Sequence, residues 1–223
     1  MRRSVLLVVG AVSAVLVGGR PAPFAAPTAS ERAIIYVSPL GEELPAADVA
    51  AVRDALVAFY AADVRVLPRA PLPTAAFTKP RRRWRAEKLL VFLRGAMPSG
   101  GTRILGLTGA DISTTKDRFE DWGVMGLGEE PGVATVISSF RCRKRARDAA
   151  QARERLAKVA VHEIGHSLGL DHCPTKGCLM HDAEGQVVTV DDEYDLCPRC
   201  RARLAAAGRP IPAAPAIPWP RPR

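Results

Sequence analysis

The stretch "VHEIGHSLGLDHCPTKGCLM", residues 161 to 180, holds three of the chain's four histidines and two of its five cysteines. His162 and His166 are four residues apart. On an α-helix that spacing sets them about 6 Å apart along the axis and on nearly the same face. Two imidazoles so placed can reach one zinc ion at about 2.0–2.1 Å. Glu163, beside His162, can turn toward a water at the same site and take its proton. Gly169 follows His166 by three positions, and His172 follows Gly169 by three more. A glycine at that point can adopt a left-handed conformation, end the helix and bring His172 back as a third ligand. Three protein ligands leave a fourth position open, as a catalytic zinc site requires. A lone H-E-x-x-H is a weak signal, but the full H-E-x-x-H-x-x-G-x-x-H pattern is a specific one. Met180, taken alone, reads as a core residue.

Cys173 directly follows His172, and Cys178, Cys197 and Cys200 complete two close pairs. C-x4-C followed by C-x-x-C is ligand spacing for a structural zinc held by four thiolates. Two disulfides are the competing arrangement in an oxidising compartment. A redox role for "CPRC" lacks the surrounding thioredoxin-like βαβ pattern. The spacing favours zinc, so two zinc ions per chain are expected, one catalytic and one structural. The second would fix the chain beyond Gly169 and so hold His172 in place. Cys142 is left over as a buried or idle thiol.

These residues need a scaffold. "AIIYVSPLG" (Ala33 to Gly41) reads as a buried strand ended by Pro39 and Gly41. "PAADVAAVRDALVAFY" has Val49, Val52, Leu56 and Phe59 at helical spacing, with Pro45 near its start. "DVRVL" is a short strand, "RWRAEKLLVFLR" reads as helix, and "TRILGLTG" as strand. Residues Ala110 to Pro131 are polar and glycine-bearing, which predicts loops with at most one short strand. "VATVISSF" is a β-branched strand. A long helix is predicted from about Arg145 to Leu168, carrying His162 and His166, and a final helix from Val190 onward. Together these predict an α/β domain with a mixed sheet, an active-site helix and a C-terminal helix.

The totals bound the function. The chain has 223 residues and a net charge of +9, from 32 Lys plus Arg against 23 Asp plus Glu. The cations lie in scattered clusters and aromatics are only 5% of the chain, so no stacking platform for bases is apparent and no nucleic-acid partner is expected. Arg2 and Arg3 precede an apolar run from Val5 to Val17, which fits a secretory signal or an N-terminal membrane anchor over residues 1–30. Export, or attachment to a membrane through this segment, is the expectation. The catalytic domain is expected over 31–205. The basic, proline-rich segment 206–223 has no evident means of packing and is expected to be disordered.

The stretch "HEIGHSLGLDHCPTKGCLM" followed by "CPRC" resembles the archaemetzincin family of metzincin-clan zinc metallopeptidases. Upstream, "VSPLG", "PLPTAAF", "RWRAEKLL", "ILGLTGADI" and "ATVISSFR" are also similar to that family. The resemblance extends from about Ala33 to Leu204, and the gap from Met180 to Cys197 is slightly shorter than the family's usual pattern. It implies a compact metzincin-like domain and a zinc-dependent peptidase acting on peptides or proteins; separately, a monomer is expected. It implies that His162, His166 and His172 bind the catalytic zinc and that Glu163 is general base to a zinc-activated water. It implies that Met180 is the methionine of the turn beneath the metal, and that Cys173, Cys178, Cys197 and Cys200 bind the second zinc. The competing reading is a zinc-stabilised peptide- or protein-binding module with little turnover. Glu163 argues against it, because a pure binding module has no need of a general base.

Overall fold

The computed structural model describes residues 32–209 and 211–221. The chain enters as strand β1 (Ile34–Leu40), crosses as helix α1 (Ala46–Tyr60), and returns as β2 (Asp63–Val66). A turn of 3-10 helix over Thr74–Ala76 leads to β3 (Phe77–Thr78) and β4 (Arg83–Arg85), then to α2 (Ala86–Ala96). Strands β5 (Arg103–Thr108), β6 (Ile112–Lys116), β7 (Phe119–Val124), β8 (Gly126–Gly128) and β9 (Ala134–Ser138) follow. The short α3 (Ser139–Cys142) precedes the long α4 (Ala149–Ser167), and α5 (Pro198–Ala206) comes last.

The main sheet has the order β2-β1-β5-β9-β8. Its first four strands are parallel, and β8 pairs antiparallel to β9 at one edge. Side chains of adjacent residues on β5 go to opposite faces. Leu105 and Leu107 pack with Val52, Leu56 and Phe59 of α1 and with Ile164 of α4. Ile104 packs with Leu89 and Leu93 of α2. Both faces of the sheet are thus covered, which is why its strands read as near-continuous apolar runs. A second, four-stranded sheet has the order β3-β4-β6-β7.

Several expectations change. "RWRAEKLLVFLR" divides: Arg83–Arg85 forms β4, and the helix starts only at Ala86. The Glu87 carboxylate explains the break, since it accepts from the Thr114 hydroxyl at 2.6 Å and the Thr115 amide at 3.0 Å and so ties the helix start to β6. The polar segment 110–131 forms three strands instead of loops, because β6 and β7 pair as a half-exposed hairpin whose outer face is polar. The final helix begins at Pro198, at its first turn, rather than at Val190. Residues Val187–Asp192 make a 3-10 turn instead. That turn is held by Arg155 of α4, which is 1% exposed and donates to both Asp191 carboxylate oxygens at 2.7 Å. The expectation of a disordered tail is corrected for residues 211–221. Trp219 is 6% exposed and stacks on Phe59 with ring centroids 5.4 Å apart, and its indole N–H donates to the Tyr194 carbonyl at 3.0 Å. The apolar run Val5–Val17 lies outside the described residues.

Candidate metal centre and active-site cleft

Helix α4 is fixed at its start by Asp148, whose side chain accepts from the Gln151 amide at 2.8 Å. Its C-terminal half is buried among apolar residues, so the orientation of His162 and His166 is set by packing. The chain then turns at Gly169, whose φ is +93°. A Cβ there would meet open space, so the backbone angle, not crowding, calls for glycine. Beyond the turn, His172 faces the two helical histidines. The ring centroids lie 4.6 Å (His162–His166), 5.4 Å (His162–His172) and 4.8 Å (His166–His172) apart.

Each helical histidine is aimed from behind. The Nδ1 of His162 donates to the Leu179 carbonyl at 2.6 Å, and that of His166 donates to the Leu170 carbonyl at 2.7 Å. Both Nε2 atoms then face the same point, 2.9 Å from each other, and one ring nitrogen from each of the three histidines lies within 4.8 Å of the others. A carbonyl behind each ring fixes the tautomer that leaves Nε2 free to coordinate. Burial, with His166 close by, pushes His162 down to about 3, and burial also lowers His166, so both rings are neutral donors. Zinc requires that form.

Glu163 is 7% exposed and borders the cleft. Burial first, and the nearby Glu130 second, push its carboxyl up to about 8. The carboxyl lies against the backbone of β8: a Cβ added to Gly126 would sit 2.5 Å from Glu163 Oε1. Met180 is fully buried, and a Cβ on Gly165 would be 2.5 Å from its sulfur. The methionine segment serves both clusters. Leu179 orients His162, and the Met180 carbonyl accepts from the Cys173 amide at 2.7 Å.

Cys173, Cys178, Cys197 and Cys200 are free thiols whose sulfurs lie within 4.8 Å of one another. The pairs Cys173–Cys197 and Cys178–Cys200 are each 3.7 Å apart. A tetrahedron with zinc–sulfur bonds of about 2.3 Å has edges of about 3.8 Å, so the four sulfurs fit one zinc. The side chain of Cys200 and the Cys197 amide both hydrogen-bond Cys178 and hold its thiol well below the usual range, toward the thiolate that zinc binds. Cys142 is fully buried, and burial pushes its thiol up to about 12.

The cleft has a volume of about 400 Å³ and opens over the histidines. Its walls are the β6–β7 hairpin, β8, α4 and the segment after Met180. Glu130, Asp182 and Glu193 border it too, and no spacing along the chain ties them to the histidines. Glu130 contacts the His166 ring, and Asp182 comes within 3.6 Å of His172 Nδ1. Tyr194 lies away from the cleft, beneath the Arg221 guanidinium at 4.7 Å.

Comparison with known proteins adds to this geometry. The family model of peptidase family M54 matches residues 53–206. The archaemetzincin of Methanopyrus kandleri is 34% identical over 149 residues, 66% of this chain and 81% of the relative. The archaemetzincin of Haloquadratum walsbyi is 31% identical over 180 residues, 77% of this chain and 99% of the relative. The crystal structure of the Methanopyrus kandleri archaemetzincin superposes with a TM-score of 0.69 at 29% identity, covering 82% of this chain and 98% of the other. The fold is accordingly the α/β architecture of these peptidases. The comparison also corrects the expectation of export or membrane anchoring. The similarity accounts for nearly all of the Haloquadratum walsbyi protein with only 77% of this chain, so it gives no ground for assigning a location to the N-terminal run. That run, Val5 to Val17, is shorter than the about 20 residues a spanning helix needs. Among the described residues no helix is long and apolar enough to cross a membrane.

Proposed function

From the premise that this chain belongs to peptidase family M54, the archaemetzincins, and is a zinc metallopeptidase, we propose that it cleaves peptide bonds with Glu163 as general base and then general acid. The observation that carries the reading is the convergence of three histidine nitrogens beside a buried carboxyl in an open cleft. In this reading His162, His166 and His172 hold the catalytic zinc, and Cys173, Cys178, Cys197 and Cys200 hold a second, structural one. The catalytic zinc, when bound, supplies polarisation of the attacking water and of the scissile carbonyl. Glu163 accepts the proton of that water as it attacks and delivers it to the departing amine. Burial and Glu130 raise its proton affinity, and the positive charge of a bound zinc would draw it back toward the ionised form that accepts the proton.

Strand β8 is the edge of the main sheet, and its backbone lies against Glu163. An extended peptide adding to that edge would bring its carbonyls past the carboxyl. Residues 31–205 form the catalytic unit in this proposal, and every proposed ligand comes from one chain, so a monomer suffices. A binding module without turnover would have no use for a proton acceptor placed beside three histidines.

The test is turnover of a diverse peptide mixture, with products identified by mass, alongside zinc analysis. Glu163→Ala should lower the rate about 10²- to 10⁴-fold while zinc content stays at the wild-type value. A variant as fast as wild type would overturn the role of Glu163. A wild-type protein that binds peptides but cleaves none would favour the binding module.

A further inference from the structure

Glu130, Asp182 and Glu193 border the cleft without a part in the mechanism above, and of these three only Glu193 is buried. Glu193 is 3% exposed yet borders the cavity. Among the described residues its carboxylate makes no hydrogen bond and no ion pair. The neighbouring cation, Lys158, is engaged elsewhere. Its ammonium pairs with Glu154 at 2.7 Å, donates to the Val190 carbonyl at 3.1 Å and lies 5.8 Å from the Trp219 ring. The other cations along the cleft are likewise taken. Arg141 forms two bonds to Asp111, at 2.9 and 3.1 Å, Lys144 lies over Phe140, and Lys116 lies over Trp122. Glu193 is therefore a desolvated carboxyl without a partner, and such a group is costly to bury. Burial pushes it up to about 9, so it rests protonated at neutral pH.

Its surroundings indicate what would repay that burial. Val159, Val187 and Val190 border the same cavity. Val159 stands three residues before His162 on α4, so this apolar wall adjoins the histidines. Apolar walls with a carboxyl behind them suit a side chain with an aliphatic stem and a cationic head.

Resting on the peptidase reading above, we propose that Glu193 is a specificity residue that selects substrates carrying arginine or lysine next to the scissile bond. The stem would pack on the valines while the head pairs with the carboxylate, which releases its proton to the solvent as the cation enters.

Two measurements test this, and they separate it from the peptidase reading. In the first, a peptide library randomised at every position is digested and the cleavage sites are read by mass. Arginine and lysine should be enriched at one position flanking the cut, and Glu193→Gln should abolish the enrichment while cleavage continues. In the second, which needs no turnover, the Glu163→Ala protein is titrated with a peptide bearing arginine and with its citrulline analogue, of nearly the same shape but uncharged. The arginine peptide should bind about 10-fold more tightly or better, and adding Glu193→Gln should bring the two within about 2-fold, as expected for loss of one charge-assisted contact. Zinc content and melting temperature of Glu193→Gln should match wild type. Cleavage without basic enrichment, or equal binding of arginine and citrulline peptides, would overturn the assignment of Glu193 and leave the peptidase reading intact. A wild type that cleaves nothing but binds arginine peptides through Glu193 would reverse that outcome.

Discussion

His166 and Glu163 stand side by side on α4, yet their removal should have different consequences. His166 offers a ring nitrogen to the proposed catalytic zinc, whereas Glu163 offers only a proton acceptor. His166→Ala should therefore lose about one zinc per chain together with all activity, while the zinc of the cysteine cluster stays. Metal stoichiometry on the purified variant checks this, and retention of the full zinc complement would argue against His166 as a ligand. At this scale the sequence was highly informative. His162, His166 and His172, and the four clustered cysteines, were singled out by spacing, and the fold brings each set together. Local helical geometry and one glycine turn carry most of that information. Glu130 and Glu193 were invisible for the opposite reason. They reach the cleft through pairing and packing of distant segments, and no residue-to-residue interval records that.

Strand β8 shows what was hard to read at the scale of elements. Its sequence, Gly126-Leu127-Gly128, has neither length nor β-branched residues to mark a strand. The glycines are there because of what faces them. A Cβ on Gly126 would lie 2.5–2.7 Å from the Glu163 side chain, and one on Gly128 would lie 2.9 Å from the Glu163 carbonyl. Gly126→Ala must move the Glu163 carboxyl or the strand, so turnover should fall about 10- to 100-fold with zinc retained if Glu163 has the proposed role. Equal turnover in variant and wild type would show that the contact does not position Glu163. By contrast β1, β5, β9, α1 and α4 were legible, because burial on both sheet faces or along one helix stripe writes a simple apolar period. The break between β4 and α2 was not, since it depends on Glu87 reaching across to β6.

At the scale of the whole molecule, the C-terminal segment belongs to the fold. Trp219 closes the core over Phe59, and Ile211 and Ile217 pack beside it. Arg201 helps by donating to the Pro212 carbonyl at 2.7 Å. Proline-rich composition suggests a chain without partners, but it does not forbid a single tryptophan from docking, and composition cannot say whether a slot awaits it. Trp219→Ala should cost about 3 kcal/mol of stability, at the low end for a buried aromatic because the segment can lift away. Urea denaturation checks this, and an unchanged midpoint would mean the segment adds nothing. The peptide bond between His172 and Cys173 has a consequence of its own. In the proposed two-zinc reading it joins adjacent ligands of different ions, so the two occupancies are thermodynamically linked. Linkage is reciprocal: whatever factor the cysteine ion adds to the affinity of the histidine site, the histidine ion must return to the cysteine site. Where each ion favours the other, half-loaded forms would be less populated than at two uncoupled sites of the same affinities.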